Sequence, residues 1–126
     1  MEFKQSKTIS LQIAETISEN ILQESWVSGD RIPSVREYAS SIEVNPNTIV
    51  RSYSYLEDLG IISKKRGIGY FVNDDAKKII LKKRKNEFLE KQLPDFFNSV
   101  DLLDIEWEEI TKKYTLYKTR EQETNK

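Results

Sequence analysis

The sequence predicts a mostly α-helical protein with a small β-hairpin, in which three short helices and the hairpin precede a short helical tail. An isoleucine recurs at every fourth position from Ile9 to Ile21, which is typical of one face of a helix. Two helix-start signals, PSVRE and NPNT, come next, and two short β-prone runs then flank a glycine-containing turn. The length of 126 residues suits one small domain with an appendage.

The first predicted helix runs from residue 8 to residue 25. Its apolar side chains form one stripe along the helix, which consists of Ile9, Ile13, Ala14, Ile17, Ile21 and Leu22. The helix ends near the segment WVSGD, where Gly29 and Asp30 break the apolar pattern and Pro33 follows.

The second predicted helix begins at Val35 and ends near Ile42. Ser34 and Glu37 have the spacing of a capping box, in which the serine hydroxyl accepts from the backbone N–H three residues on and the glutamate accepts from the serine N–H. This reciprocal pair satisfies two backbone donors that the first helical turn would otherwise leave unpaired.

The third predicted helix begins at Pro46 and ends near Leu59, before Gly60. Asn45 can cap its amino terminus. Pro46 suits the first helical position, because its ring fixes φ and its missing N–H would be unpaired there in any case. Gly60 suits the end of the helix because glycine readily adopts positive φ.

A β-hairpin is predicted after the third helix. Its two β-prone runs cover residues 61–64 and 70–72, around the turn from Gly67 to Gly69. Three helices followed by a hairpin is the element order of a winged helix-turn-helix. We therefore expect a winged helix-turn-helix DNA-binding domain over residues 1–74.

Residues 75–126 are predicted to form a short helical tail. Pro94 should kink or restart its first helix, a last helix begins near Ile105, and the polar end TREQETNK is expected to fray. The tail carries more apolar surface than two or three helices can hide by themselves, so we expect a second copy of the chain to cover it. The predicted dimerisation residues are Phe88, Leu89, Leu93, Phe96, Phe97, Trp107, Ile110 and Tyr114. The alternative is a monomer whose tail packs on its own winged domain.

The third helix is expected to have a buried face and a polar face. At about 100° per residue, Ile49, Tyr53 and Leu56 fall on one side of the helix. Asn47, Arg51 and Ser54 fall on the opposite side. Arginine and asparagine side chains can bond to guanine and adenine edges in the major groove, so this polar face is a candidate for reading DNA. For a lone arginine or asparagine, a solvated surface role is the alternative.

Composition argues against an enzyme and against a metal site. The chain has no histidine and no cysteine, which removes the usual general base, the common nucleophile pairs and nearly every nitrogen or sulfur metal ligand. The adjacent carboxylates of Glu108 and Glu109 diverge by about 100° on a helix and cannot converge on a substrate. We therefore expect neither catalysis nor a cofactor.

Charge and hydropathy limit the partners and the location of the protein. The formal net charge is −1, so any binding of nucleic acid must depend on local clusters of charge rather than on bulk charge. No apolar run approaches the roughly 20 residues needed to cross a bilayer, and the amino terminus lacks a signal pattern. A cytoplasmic protein that has no contact with a membrane is expected.

The segment GDRIPSVREYASSIEVNPNTIVRSYSYLEDLGIISKKRGIGYFV resembles the DNA-binding domain of the GntR family of bacterial transcription regulators. VNPNT and RSYSYLE are similar to its YtrA-like branch, in which a short helical tail dimerises two winged domains. The resemblance implies a homodimeric regulator, in most cases a repressor, that binds double-stranded DNA at an inverted repeat. The predicted DNA-binding residues are Arg36, Asn45, Asn47, Thr48, Arg51, Lys65, Arg66, Gly67 and Gly69.

Two departures from the family pattern affect the predicted DNA contacts. Many members have an arginine where this chain has Pro46 and a basic residue where it has Val50. The operator of another branch therefore cannot be transferred to this chain, and Arg51 must supply more of the base recognition. The alternative for Arg36 is a surface ion pair with Glu37 or Glu43.

Several questions stay open at the level of the sequence. The alternative function is a winged-helix adaptor that binds another protein and not DNA. The basic run at residues 77–85 either approaches phosphates or is a solvated helix face. The residues do not identify the operator, the regulated genes or a small-molecule effector.

Overall fold

The computed structural model describes residues 8–124, and within this range it contains six α-helices and three β-strands. In chain order these are α1 (Ile9–Leu22), β1 (Arg31–Ile32), α2 (Val35–Ile42), α3 (Pro46–Asp58), β2 (Ile62–Lys65), β3 (Gly69–Val72), α4 (Ala76–Glu87), α5 (Leu93–Leu102) and α6 (Trp107–Thr124). A π-helical turn, Phe88–Gln92, joins α4 to α5. The predicted fold class, mostly α with a winged helix-turn-helix and a helical tail, is confirmed.

The chain forms two compact units that divide between Arg84 and Lys85. We call them the winged unit and the tail unit. The first part of α4 belongs to the winged unit. The functional division predicted after residue 74 stays a prediction, because it concerns the roles of the two regions.

Helices α2 and α3 have the caps that the sequence predicts. The Ser34 hydroxyl accepts from the Glu37 N–H at 3.1 Å, and the Glu37 carboxylate accepts from the Ser34 N–H at 3.3 Å. Glu43, the residue after α2, has a left-handed φ of 56°, and this reverses the chain into the turn before α3. Helix α3 ends ahead of Gly60, which has a φ of 81°.

The sheet has three strands rather than the two of the predicted hairpin. Strands β2 and β3 form the antiparallel hairpin, and β1 pairs antiparallel with the other edge of β3, which places β3 in the centre. Arg31 pairs with Phe71, and Ile32 pairs with Tyr70. A two-residue strand has no sequence pattern of its own, so only its pairing with β3 defines it.

One apolar core joins all elements of the winged unit. Its buried side chains come from α1 (Ile13, Ala14, Ile17, Ile21), β1 (Ile32), α2 (Tyr38, Ala39), α3 (Ile49, Tyr53, Leu56), the strands and their edges (Ile61, Ile62, Val72) and α4 (Ala76, Ile80). The predicted stripe on α1 is present from Ile13 onward. Ile9, the first residue of α1, lies outside the core and is 64% exposed.

Helix α4 is fastened to α1 and to the turn after α1 by packing and by two ion pairs. Ala76 and Ile80 enter the core. Lys77 contacts Glu24 at 2.9 Å, and Arg84 pairs with Glu19. The hydrogen bond from the Arg84 guanidinium holds the pKa of the Glu19 carboxyl below its usual value. Two residues of the basic run at 77–85 therefore attach α4 to the winged unit.

The tail unit has little buried surface of its own. From residue 85 to residue 123, Val100 is the one described residue that is buried. The rings of Phe96, Phe97 and Trp107 pack together with centroids 6.1–6.4 Å apart. Helix α6 continues to Thr124, so the predicted fraying of TREQETNK is wrong over residues 119–124, and the last two residues lie outside the described range.

Pro94 restarts the helix after a widened turn. The Leu93 N–H donates to the Phe88 carbonyl, five residues back, in the π-helical pattern. Proline lacks an N–H, and its ring would collide with the carbonyl four residues earlier in a regular α-helix. The wider turn accommodates that ring, and Pro94 lies in the first turn of α5.

Within residues 8–124, no helix is both long enough and apolar enough to cross a bilayer.

The capping box of α2 provides a test of the fold. Ser34→Ala should lower the free energy of unfolding by about 1 kcal/mol, because it removes the side-chain acceptor for the Glu37 N–H. Urea denaturation measures the loss. The control is Ser40→Ala, an exposed serine in the same helix whose hydroxyl has no described hydrogen bond, which should change the value by less than about 0.5 kcal/mol. Equal effects at both positions would contradict the assigned cap.

Candidate nucleic-acid interface

Helix α3 presents a polar face to solvent and an apolar face to the core, as the sequence predicts. Asn47, Arg51 and Ser54 are exposed. The opposite face is fully buried and consists of Ile49, Ser52, Tyr53 and Leu56. Val50 lies at the edge of the exposed face and is 45% exposed. We call the exposed residues Asn47, Val50, Arg51 and Ser54 the reading face.

The buried side of α3 is fixed by side-chain hydrogen bonds as well as by packing. The Ser52 hydroxyl donates to the Ser10 carbonyl on α1 at 2.6 Å, and the Tyr53 hydroxyl donates to the Pro33 carbonyl at 2.7 Å. Burial raises the pKa of Tyr53, and the neighbouring Tyr38 and Tyr70 raise it further. The hydroxyl therefore keeps its proton and remains the donor to Pro33. These contacts fix the direction in which the reading face points.

The amino terminus of α3 is capped by Asn45. Its side-chain oxygen accepts from the Asn47 N–H at 2.8 Å, and Pro46 occupies the first turn. Because the oxygen is engaged in the cap, the Asn45 side chain has its NH₂ group available as a donor. Thr48 is half-buried. Pro46 has no N–H, and the Thr48 N–H donates to the Asn45 carbonyl at 2.9 Å, so the N–H groups of the first turn are already satisfied. The positive end of the helix dipole still favours a phosphate at this position.

Arg36 extends from the exposed side of α2. The alternative ion pair with Glu37 or Glu43 is absent from the part of the chain that the structure describes. Glu37 instead accepts from Ser34, and the hydrogen bond with the Ser34 side chain is the largest cause of its lowered pKa. The Arg36 guanidinium is thus available to an external anion.

The hairpin β2–β3 carries a cluster of positive charge. Lys64, Lys65 and Arg66 are exposed. The Lys65 Nζ lies 4.5 Å from the centre of the Phe71 ring, and the Lys64 Nζ lies 5.7 Å from the centre of the Tyr70 ring. Both lysines are therefore held along the hairpin by cation–π contacts, whereas Arg66 lies in the turn. Lys64 was not among the predicted site residues, although its place in the basic run SKKR is visible in the sequence.

The turn of the hairpin depends on two glycines with positive φ. Gly67 has a φ of 78° and Gly69 a φ of 144°, both of which disfavour a side chain. A Cβ at Gly69 would also lie 2.9 Å from the Arg31 Nε. Gly69 therefore lets the Arg31 guanidinium lie against the backbone of the hairpin.

Arg31 is a candidate site residue that the sequence predictions did not include. Its strand β1 pairs with β3, which brings its exposed side chain to the basic hairpin. Its place beside the hairpin depends on the pairing of residues 31 and 71. These residues are far apart in the sequence, so no local pattern indicates the contact. Arg31, Lys64, Lys65 and Arg66 together form what we call the basic wing.

The described residues contain no candidate metal centre. Between residues 8 and 124 there is no group of three or more acidic, histidine or cysteine side chains that could hold a metal ion.

Comparisons with known proteins agree with this geometry. Residues 9–72 match the family described as bacterial regulatory proteins, gntR family. The HTH-type transcriptional regulator YhcF of Bacillus subtilis is 38% identical over 109 residues, which are 86% of this chain and 88% of YhcF. The HTH-type transcriptional repressor YtrA of the same organism is 33% identical over 107 residues, which are 85% and 82% of the two chains.

A solved structure supports the same assignment over nearly the whole chain. The crystal structure of a GntR-family transcriptional regulator from Bacteroides thetaiotaomicron superimposes with a TM-score of 0.79 at 43% identity, and the match covers 90% of this chain and 99% of that one. The matched family consists of transcriptional regulators rather than enzymes. The chain belongs to the GntR family and is a transcriptional regulator with a DNA-binding winged helix-turn-helix.

Proposed function

We propose that the protein is a repressor that binds an inverted-repeat operator as a homodimer, in the bacterial cytoplasm. The observation that carries this proposal is the reading face of α3, whose polar residues are exposed while the opposite side of the helix is locked into the core. Repression is supported by the resemblance to YtrA, which is named as a repressor and matches across both parts of this chain.

In the proposed complex, α3 lies in the major groove and its reading face contacts base edges. Arg51 suits a bidentate contact with the O6 and N7 of guanine, and Asn47 suits a contact with adenine. Each such contact provides about 1–3 kcal/mol of discrimination between bases. The Asn45 NH₂ group would contact phosphate at the positive end of the helix dipole, because the Asn45 oxygen is already engaged in the helix cap.

The second group of proposed contacts is with the sugar-phosphate backbone. The basic wing would follow the backbone or enter the minor groove, with Gly67 and Gly69 allowing close approach, and Arg36 would contact a phosphate next to α2. Phosphate contacts set the position of the protein on the duplex and make the affinity depend on salt, but carry no direct sequence information. Local clusters of this kind permit DNA binding in a chain whose formal net charge is −1.

Dimerisation through the tail unit is supported by the apolar surface that the unit leaves open. Six of the eight predicted dimerisation residues are exposed, whereas Leu93 and Ile110 are half-buried. Four further large apolar side chains in this unit are also exposed, namely Leu102, Leu103, Leu116 and Tyr117. A surface this rich in aromatic and aliphatic groups is typical of an interface between subunits.

A symmetric dimer would present two reading faces to one operator. The two half-sites would then be centred about one helical turn of DNA apart, or a multiple of it. Because an inverted repeat has the same two-fold symmetry, each copy of the chain would read the same sequence.

The role of Arg51 is tested by two variants that separate charge from hydrogen-bond geometry. Arg51→Ala should remove most discrimination between operator and random duplexes. Arg51→Lys should preserve the non-specific affinity, because it keeps the charge, while weakening discrimination, because lysine lacks the planar two-donor fork of arginine. Fluorescence anisotropy measures both affinities on an operator obtained by selection from genomic fragments.

Two results would contradict the role of Arg51 or the binding of DNA. Unchanged operator preference in both Arg51 variants would exclude Arg51 from base reading. Failure of the unaltered protein to select any fragment would favour the adaptor alternative instead.

The basic wing is tested by the salt dependence of binding. Replacing Lys65 and Arg66 together by alanine should weaken binding to operator and random DNA alike. The slope of log K against log salt should fall by about 0.9 for each phosphate that the wing no longer neutralises. The matched control replaces Lys113 and Lys118 of α6 by alanine, which removes the same charge from exposed positions outside the wing. An equal fall of the slope in the control would show that net charge, rather than the wing, determines the effect.

The dimer is tested at Tyr114, which is 60% exposed and has no ring contact among the described residues. Tyr114→Glu should convert the dimer to a monomer, because the interface would have to bury a charge. Light scattering measures the mass, and circular dichroism checks that the helices persist. Gln122→Glu, which adds the same charge at an exposed position on α6, should remain a dimer. A Tyr114 variant that stays dimeric would exclude this position from the interface.

A further inference from the structure

Val50 is the one apolar side chain on the reading face. It follows Asn47 by three residues, precedes Arg51 and lies one turn before Ser54, so it shares the surface of the residues proposed to contact bases. It is 45% exposed and is not among the buried residues of the core. A large part of this apolar side chain is therefore open to solvent beside the polar residues of the reading face.

The chemistry of the major groove limits what Val50 could contact. A valine side chain has two methyl groups and can neither donate nor accept a hydrogen bond. Base edges in the major groove offer hydrogen-bond donors and acceptors at every pair, but an apolar group only at thymine, whose C5 methyl points into the groove. An aliphatic side chain beside Asn47 and Arg51 therefore suits contact with a thymine methyl. It is a poor partner for the polar edge of a G·C pair.

We propose that Val50 is a specificity-determining residue that recognises the C5 methyl of one thymine in each operator half-site. The inference rests on the proposed function, since it requires α3 to lie in the major groove. It adds a required T·A pair close to the base pairs contacted by Asn47 and Arg51.

The test removes the thymine methyl without altering base pairing. Each thymine of the selected operator is replaced in turn by deoxyuridine, and the affinities of the unaltered protein and of Val50→Ala are measured by anisotropy. Burial of one methyl group corresponds to about a fourfold change in affinity. At one thymine per half-site, deoxyuridine should lower the affinity of the unaltered protein by about fourfold. The same replacement should leave the affinity of Val50→Ala unchanged.

Val27 provides the matched control. It is also 45% exposed but lies in the segment between α1 and β1, away from the reading face. The Val27→Ala variant should show the same loss of operator affinity, about fourfold, on deoxyuridine substitution as the unaltered protein. If the methyl effect disappears equally in both variants, or if no thymine shows an effect that depends on Val50, the inference is overturned while sequence-specific binding stands. Absence of any operator preference in the unaltered protein would overturn the proposed function itself.

Discussion

The structure depends on the burial of Tyr53 at the meeting point of α2, α3 and the sheet. Its hydroxyl donates to the Pro33 carbonyl, just before α2, and its ring packs against Tyr38 of α2 and Tyr70 of β3. One side chain thus joins the two helices of the helix-turn-helix to the central strand. Loss of a buried hydrogen-bond partner leaves the other group unsatisfied, so this contact couples the orientation of α3 to that of the wing.

The parts of the fold that follow local rules could be predicted from the sequence. The start of α2 could be predicted because Ser34 and Glu37 form hydrogen bonds specific to a helix start. The start of α3 was predicted because Asn45 accepts from the backbone two residues later. The two faces of α3 could be predicted from the helical repeat of about 3.6 residues. Buried residues recur on one side of the helix at this spacing, and exposed residues recur on the other side. These features depend on residues within a few positions of one another.

Features that depend on distant contacts could not be predicted in the same way. Strand β1 is two residues long and is defined by its pairing with β3, so the approach of Arg31 to Gly69 had no local signal. The π-helical turn has a local cause in Pro94, but the sequence indicated only a disturbance there and not its form. The charged residues of α4 gave no indication that Arg84 pairs with Glu19 of α1 or that Lys77 pairs with Glu24 in the turn after it. For β1 and α4 the partner that determines the contact lies far away in the sequence.

The division of α3 into a buried side and a solvated side has an evolutionary consequence. Residues that hold the helix in place, such as Leu56, differ from those that face outward, such as Arg51. Exposed positions tolerate replacement at little energetic expense, typically within about 0.5 kcal/mol. New operator preferences can therefore arise by mutation of the outward positions while the scaffold keeps its stability. Related regulators in one genome can diverge in their targets along this route without first acquiring compensating changes in the core.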